Sequence, residues 1–240
     1  MFEFRSLMGE TTMFMLSLSP ICSTKSMLDS PPPIGDNGCM LFHTGADYAL
    51  FTRPETPADR VSYPVPPFTA LRGLLLNHFY KRGLDWQILR VWVLSEVRYV
   101  PIMRNELVTG RPMEDARTQR RALFLKSPEY VIEAMPVPKE PSFSGQVSKW
   151  MVMAQAWLNS GRHRAPPFLG TRECGAWLRP PAKGFQERAR SVNRGLDPDL
   201  GNMPLRIVYR SDGDPTPLSA VWSRYTYDRD LGLYTAEGCL

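Results

Sequence analysis

Between Asp59 and Leu74 the chain reads Asp-Arg-Val-Ser-Tyr-Pro-Val-Pro-Pro-Phe-Thr-Ala-Leu-Arg-Gly-Leu, an extended segment that runs straight into a helix. Pro64, Pro66 and Pro67 fix their own φ and push the residues before them away from helical geometry, so Tyr63, Val65 and Phe68 are presented from a preset backbone. Thr69 is the expected N-cap. Behind it, Leu71, Leu74, Leu75 and Phe79 recur at helical spacing, while Arg72, Asn77, Lys81 and Arg82 fall largely off that stripe. The segment therefore predicts a helix with one buried side and one wet, basic side. The 23 prolines of the whole chain extend the constraint: many fixed loops and edges, hence a mostly β or mixed protein with short helices.

At 240 residues and 43% hydrophobic, the chain can bury a full core as one large domain or two small ones. Its net charge of +5 makes an anionic partner plausible, either nucleic acid or an acidic membrane surface. Cys22, Cys39, Cys174 and Cys239 form no CxxC pair, which supports neither a zinc ribbon nor a disulfide framework, and a reducing cytoplasm is the default. The three histidines, His43, His78 and His163, are too scattered for a histidine-rich metal site. No metal or cofactor is expected.

Residues 1–37 differ from the rest. The apolar run from Thr12 to Cys22 follows Glu3 and Glu10 where a signal peptide would be basic, and it is too short to span a bilayer. Ser30 to Gly38 is a linker by composition. The segment reads as an N-terminal extension. From there, Cys39 to Arg53 predicts a strand kinked at Gly45, and the helix above follows. Asp85 to Ser95 and Val97 to Met103 predict two more strands. Ala122 to Leu125 and Tyr130 to Met135 predict a hairpin across Ser127-Pro128. Val147, Trp150, Met151, Ala154, Trp157 and Leu158 then give a strongly amphipathic helix closed by Ser160-Gly161. Phe168 to Leu178 and Leu205 to Arg210 are expected as short strands around a basic, proline-containing loop, 180–201.

This order predicts an α+β protein: an RRM-like, ferredoxin-like βαββαβ domain over 38–178, followed by a basic loop and a smaller C-terminal antiparallel β-sheet over 179–240. Such folds stack bases on aromatics and hold phosphates with Arg and Lys. Tyr63, Phe68, Tyr99 and Trp150 interleave here with Arg60, Arg72, Arg98, Arg104, Arg117, Arg120 and Arg121. The alternative for each aromatic is core packing, and for Arg117 to Arg121 a solvated loop. Walker loops, GxSxG elbows and HExxH helices are absent from the sequence.

Seven segments, in order, resemble the CRISPR-associated Cas-five family in its type I-C (d) branch: Gly45 to Glu55, Asp59 to Pro66, Ala70 to Gly73, Ile102 to Glu106, Arg117 to Arg120, Tyr130 to Ala134 and Phe168 to Cys174. The resemblance implies a subunit of a type I Cascade surveillance complex. It would grip the 5′ handle of the CRISPR RNA (crRNA), abut the large subunit and the first backbone subunit, and meet target DNA only through the complex, with no membrane partner. It also implies metal-independent cutting of the precursor transcript, which needs a base, an acid and a cation. In this branch a tyrosine or histidine lies late in the first helix and a Lys-His pair opens the second. The matching positions here read Phe79 and Lys149-Trp150. The cation is retained and both proton-transfer groups are missing. Tyr80, His78 and His163 are the neighbours that a rearranged site would have to use, although one helical step turns a side chain by about 100°. The sequence thus leaves two readings: an RNA-binding subunit with Lys149 and Trp150 at the RNA, or an endoribonuclease using Lys149 with Tyr80, His78 or His163.

Overall fold

The computed structural model describes residues 39–56, 58–107, 117–192, 196–209 and 217–237. The expected extension, residues 1–37, lies outside this set, as do Cys22, Cys239 and Arg210.

Strand β1 (Met40–Ala46), helix α1 (Phe68–His78), strand β3 (Leu84–Val93), strand β6 (Glu129–Pro138), helix α2 (Val147–Ser160) and strand β7 (Ala176–Arg179) make the βαββαβ unit. Their order in the sheet is β7-β1-β6-β3, every neighbouring pair antiparallel, which is the ferredoxin-like arrangement. Strands β8 (Asp199–Tyr209), β9 (Pro217–Asp228) and β10 (Leu233–Ala236) supply the C-terminal antiparallel strands and join the same sheet where β10 pairs β3. The loop expected over 180–201 also carries a short helix, α3 (Phe185–Ser191).

Two expectations are corrected here. The strand expected at Val97 to Met103 is β4 (Tyr99–Leu107), and it is not the third strand of the unit. It pairs with β5 (Arg117–Lys126), which pairs in turn with β2 (Tyr48–Ala49), giving a separate three-stranded sheet inserted between β3 and β6. Second, β5 and β6 are consecutive but are not a hairpin, since they lie in different sheets. The reason is a shared corner. The β5–β6 ribbon turns at Ser127, whose φ of 47° is left-handed, and its partner ribbon β1–β2 turns at Asp47. The two turns are tied by Ser127 N–H donating to the Asp47 carbonyl (2.7 Å) and Ala46 N–H donating to the Pro128 carbonyl (3.2 Å). Gly45 is not itself the kink; it sits in β1 because a Cβ there would lie 2.5 Å from the Trp177 ring.

Helix α1 also starts differently from the expectation. Its N-cap is Pro67, with no side-chain cap from Thr69. The first orphan amide is satisfied from far away: Phe68 N–H donates to the Tyr225 hydroxyl (3.0 Å), and that hydroxyl donates to the Pro204 carbonyl (3.3 Å). Tyr234 seals the same corner, its hydroxyl donating to the Pro66 carbonyl at 2.7 Å. The C-terminal strands thus wrap the start of α1. Helix α2 ends as expected, with Gly161 at φ 67°. Both helices bury their stripes (Leu71, Leu74 and Leu75; Trp150, Met151, Ala154 and Leu158) against one face of the sheet, where Phe42, Trp86 and Ile132 complete the core.

Candidate nucleic-acid interface

The inserted β4–β5 hairpin brings most of the predicted arginines together. Arg104 and Arg120 are direct cross-strand partners, and Met103 stands opposite Arg121. The segment Arg117 to Arg121 is therefore strand rather than loop; of Arg117 only the backbone belongs to the described residues. Residues 60–62 run alongside β5, with Leu123 N–H donating to the Arg60 carbonyl and Ser62 N–H to the Leu123 carbonyl. Arg60 thereby joins the same face.

These cations carry their own counter-ions. Glu106 on β4 lies 3.4 Å from Arg60 and 3.6 Å from Arg120, and Glu173 accepts from Arg104 at 2.5 Å. Glu173 is held below the ordinary carboxylate range by a backbone amide and by the charges of Arg104 and Arg60. Arg98 pairs with Glu96, and Arg72 binds Asp85 in bidentate fashion at 2.5 and 2.8 Å. Burial pushes the Asp85 pKa up, but Arg72's hydrogen bonds and charge outweigh it and hold it below the usual value. Exposed Arg121 and Lys149 have no carboxylate partner among the described residues. The acids were legible in the sequence, since Glu106 and Glu173 lie within two of the family-like segments, but the pairing of Glu173 with Arg104 across 69 positions of chain was not.

The aromatic candidates are mostly spent on the core. Trp150 is 2% exposed and packs near Phe143 with ring centroids 6.3 Å apart, so it offers no face to a base. Tyr63 is 5% exposed beneath the Arg53 guanidinium, 5.2 Å from its ring centre, and Phe68 sits between Tyr225 and Tyr234. Tyr99 on the hairpin keeps a partly exposed ring. Nor is the sheet face opposite α1 and α2 an open stacking platform. Phe185 and Ala189 of α3 pack on Trp92, Val131 and Leu233 there, and Glu129 is enclosed by His43, Arg179 and Arg188. Trp177, at the edge of that face, stays exposed with the Arg179 guanidinium 4.1 Å from its ring centre.

At the positions where proton transfer is expected, Phe79 is fully buried with its ring edge-on to Trp157 (5.2 Å), and Trp150 is inside the core. The alternative groups form a cluster elsewhere. His78 is fully buried, its Nδ1 3.0 Å from the Nδ1 of His163 and its Nε2 3.2 Å from the Ala154 carbonyl. Because a carbonyl only accepts, His78 carries its proton on Nε2, and His163 must donate from Nδ1 to close the pair. Burial lowers the His78 pKa to about 4, and burial also lowers that of His163. Tyr80 is partly exposed with the Arg164 guanidinium 4.9 Å from its ring centre, and Arg162 covers Trp157 at 4.4 Å. The Arg-His-Arg triplet after α2 was the available signal for these two arginines. Lys149 does not join them. It lies in the first turn of α2 and His163 lies beyond the last, so the helix, rising about 1.5 Å per residue, holds them on the order of 16 Å apart along its axis. Among the described residues no group of three His, Cys, Asp or Glu could hold a metal ion, and no helix is long and apolar enough to cross a membrane.

Fold and charge together define a ferredoxin-like α+β protein carrying an inserted, arginine-bearing hairpin sheet. The family model described as CRISPR-associated protein (Cas_Cas5), in its Cas5d form, matches residues 39–228, and the chain belongs to this family. It is 35% identical over 171 residues to the CRISPR pre-crRNA endoribonuclease Cas5d of Thermus thermophilus, an alignment covering 69% of this chain and 72% of that protein. It is 30% identical over 210 residues to the protein of the same name from Mannheimia succiniciproducens, covering 79% and 80%. The fold is similar to a crystal structure of a CRISPR-associated protein, with a TM-score of 0.59 and 24% identity over 82% of this chain and 90% of the other. A functionally uncharacterized Streptococcus mutans protein matches with a TM-score of 0.57 and 23% identity over 84% and 93%.

Proposed function

We propose that this chain is the crRNA-binding subunit of a type I-C-like Cascade complex, gripping the 5′ handle of the guide RNA in antiviral defence. Membership in the Cas5d family supports the RNA partner. The observation that supports binding over cutting is the burial of Phe79 and Trp150, two side chains without a titratable group at the positions where the family resemblance expects proton transfer. Lys149 is left to stabilise charge on a phosphate, as a positioning contact. In this reading Arg121, Lys149 and the arginines around Glu106 meet the RNA backbone. The large and backbone subunits adjoin the protein in the cytoplasm, target DNA is reached only through the complex, and residues 1–37 lie outside the RNA-binding domain.

A second reading is favoured by one specific observation. His163, Tyr80 and Arg164 gather around buried His78 at the ends of α1 and α2, and both curated relatives are named pre-crRNA endoribonucleases. Such a site would use the unprotonated Nε2 of His163 as base and Arg164 as the cation, without Lys149. Incubating the purified protein with RNA of its own repeat in EDTA separates the two. Binding without cutting supports the first reading; specific cleavage that is lost in His163→Ala supports the second.

A further inference from the structure

A second basic site lies away from the hairpin. A cavity of about 480 Å³ opens where α1, the start of β3, the end of β6 and β8 meet, lined by Arg72, Asp85, Lys139, Arg206, Ile207 and Val208. Its charged groups come from α1, β3, β8 and the residue just after β6, so the concentration of cations there is a product of the tertiary fold. The Arg72–Asp85 pair forms one wall and neutralises itself. Lys139 and Arg206 are both exposed; neither makes a close ion pair among the described residues, although the charge of Lys139 also acts on Asp85. In this they differ from Arg60, Arg104 and Arg120 on the hairpin, which are committed to Glu106 and Glu173.

The third wall is the outer edge of β8, which among the described strands pairs with β9 alone. An edge strand keeps backbone amides unpaired on its free side, and three consecutive β8 residues line the cavity. The β8–β9 register shifts between Pro204 and Arg206, a bulge of the kind that bends a strand and re-aims the next side chain. Two exposed cations outside any close ion pair, edge amides and the apolar side chains of Ile207 and Val208 suit a ligand with a diffuse negative charge and a less polar body. The volume falls in the range of small-ligand pockets, about 300–1,000 Å³, enough for a nucleotide or two of a single strand.

We propose that this cleft binds a phosphodiester of single-stranded RNA, with Lys139 and Arg206 on the phosphate and Ile207 and Val208 against the sugar or base. The proposal rests on the RNA-binding reading above and extends the RNA path from the hairpin to the junction of α1 and β8. Arg72 acts as a positioning residue: it holds Asp85 neutralised so that the carboxylate does not repel the phosphate.

The test uses the full-length Lys139→Ala/Arg206→Ala protein and a labelled single-stranded RNA of its own repeat, with affinity measured across a salt series. Both side chains are exposed, so their removal leaves the core intact, which a thermal melt checks. Affinity should fall at least tenfold, and the slope of log affinity against log salt should flatten by about 0.7, the value for one single-strand phosphate lost. A control pair of equal charge, Lys183→Ala/Arg229→Ala near α3, should bind almost as the wild type does. Unchanged affinity and slope in the cleft variant, or an equal loss in the control, would overturn the cleft while leaving RNA binding standing. A wild-type protein that does not bind the RNA would overturn the RNA-binding reading itself.

Discussion

His78 ties stability to pH in a way the structure makes quantitative. Its ring is fully buried, donates from Nε2 to the Ala154 carbonyl, stacks edge-on against Phe42 and shares one proton with His163 across 3.0 Å. A second proton would place a positive charge in that packing, so burial lowers its pKa from the ordinary 6.5 to about 4. In the unfolded chain the ring protonates near its ordinary value. As pH falls below about 6.5 the unfolded state therefore gains protons that the folded state refuses, and stability is lost until about pH 4. Each pH step in that window costs about 1.4 kcal/mol, giving about 2 kcal/mol between neutrality and pH 5.0 and about 3 kcal/mol in all. His43 and His163 are shifted in the same direction by burial and add to the loss. Urea unfolding at pH 7.0 and 5.0, for the wild type and for His78→Phe, measures the term as a change in midpoint at constant m. The wild type should lose about 2 kcal/mol more than the variant. Equal losses in the two proteins would refute the assignment. The same neutrality means that near pH 7 His78 carries no second proton to give as a general acid.

Removing the Tyr225 hydroxyl with Tyr225→Phe strands the buried Phe68 amide, and should cost about 1–3 kcal/mol, or about 2–4 °C in melting temperature for each kcal/mol in a chain of this size; an unchanged melt would show that the amide finds another acceptor. Glu106→Gln should release Arg60 and Arg120, tighten RNA binding and steepen its salt slope by about 0.7 for each arginine that takes up a phosphate; a flatter slope would mean that Glu106 positions those arginines. A protein beginning at Gly38 should bind repeat RNA as the full chain does, and a tenfold loss, about 1.4 kcal/mol, would place part of the interface in residues 1–37.

Local physics was sufficient for much of this molecule. Proline stereochemistry before Phe68, the apolar stripes of α1 and α2 and the left-handed Gly161 follow from neighbours a few residues apart, and the sequence order of strands and helices predicts a ferredoxin-like unit. That Phe79 and Trp150 stand where the family resemblance expects proton transfer was also legible without a structure, although as a resemblance and not from local physics. Distance along the chain is what hid the rest. Strand β5 reads as one arm of a hairpin with β6 because the two are consecutive, yet Ser127 and Asp47, tied across 80 positions, turn both ribbons into a second sheet. Thr69 has the chemistry of a cap, but the amide at Phe68 is satisfied by Tyr225, 157 residues on, because the wrapped C-terminal strands bring a hydroxyl there first. The arginines of the hairpin are cationic in any reading of the sequence. Only tertiary packing decides that Arg60, Arg104 and Arg120 face carboxylates while Lys139 and Arg206 face an open cleft, because an ion pair depends on separation in space and a sequence specifies only separation along the chain.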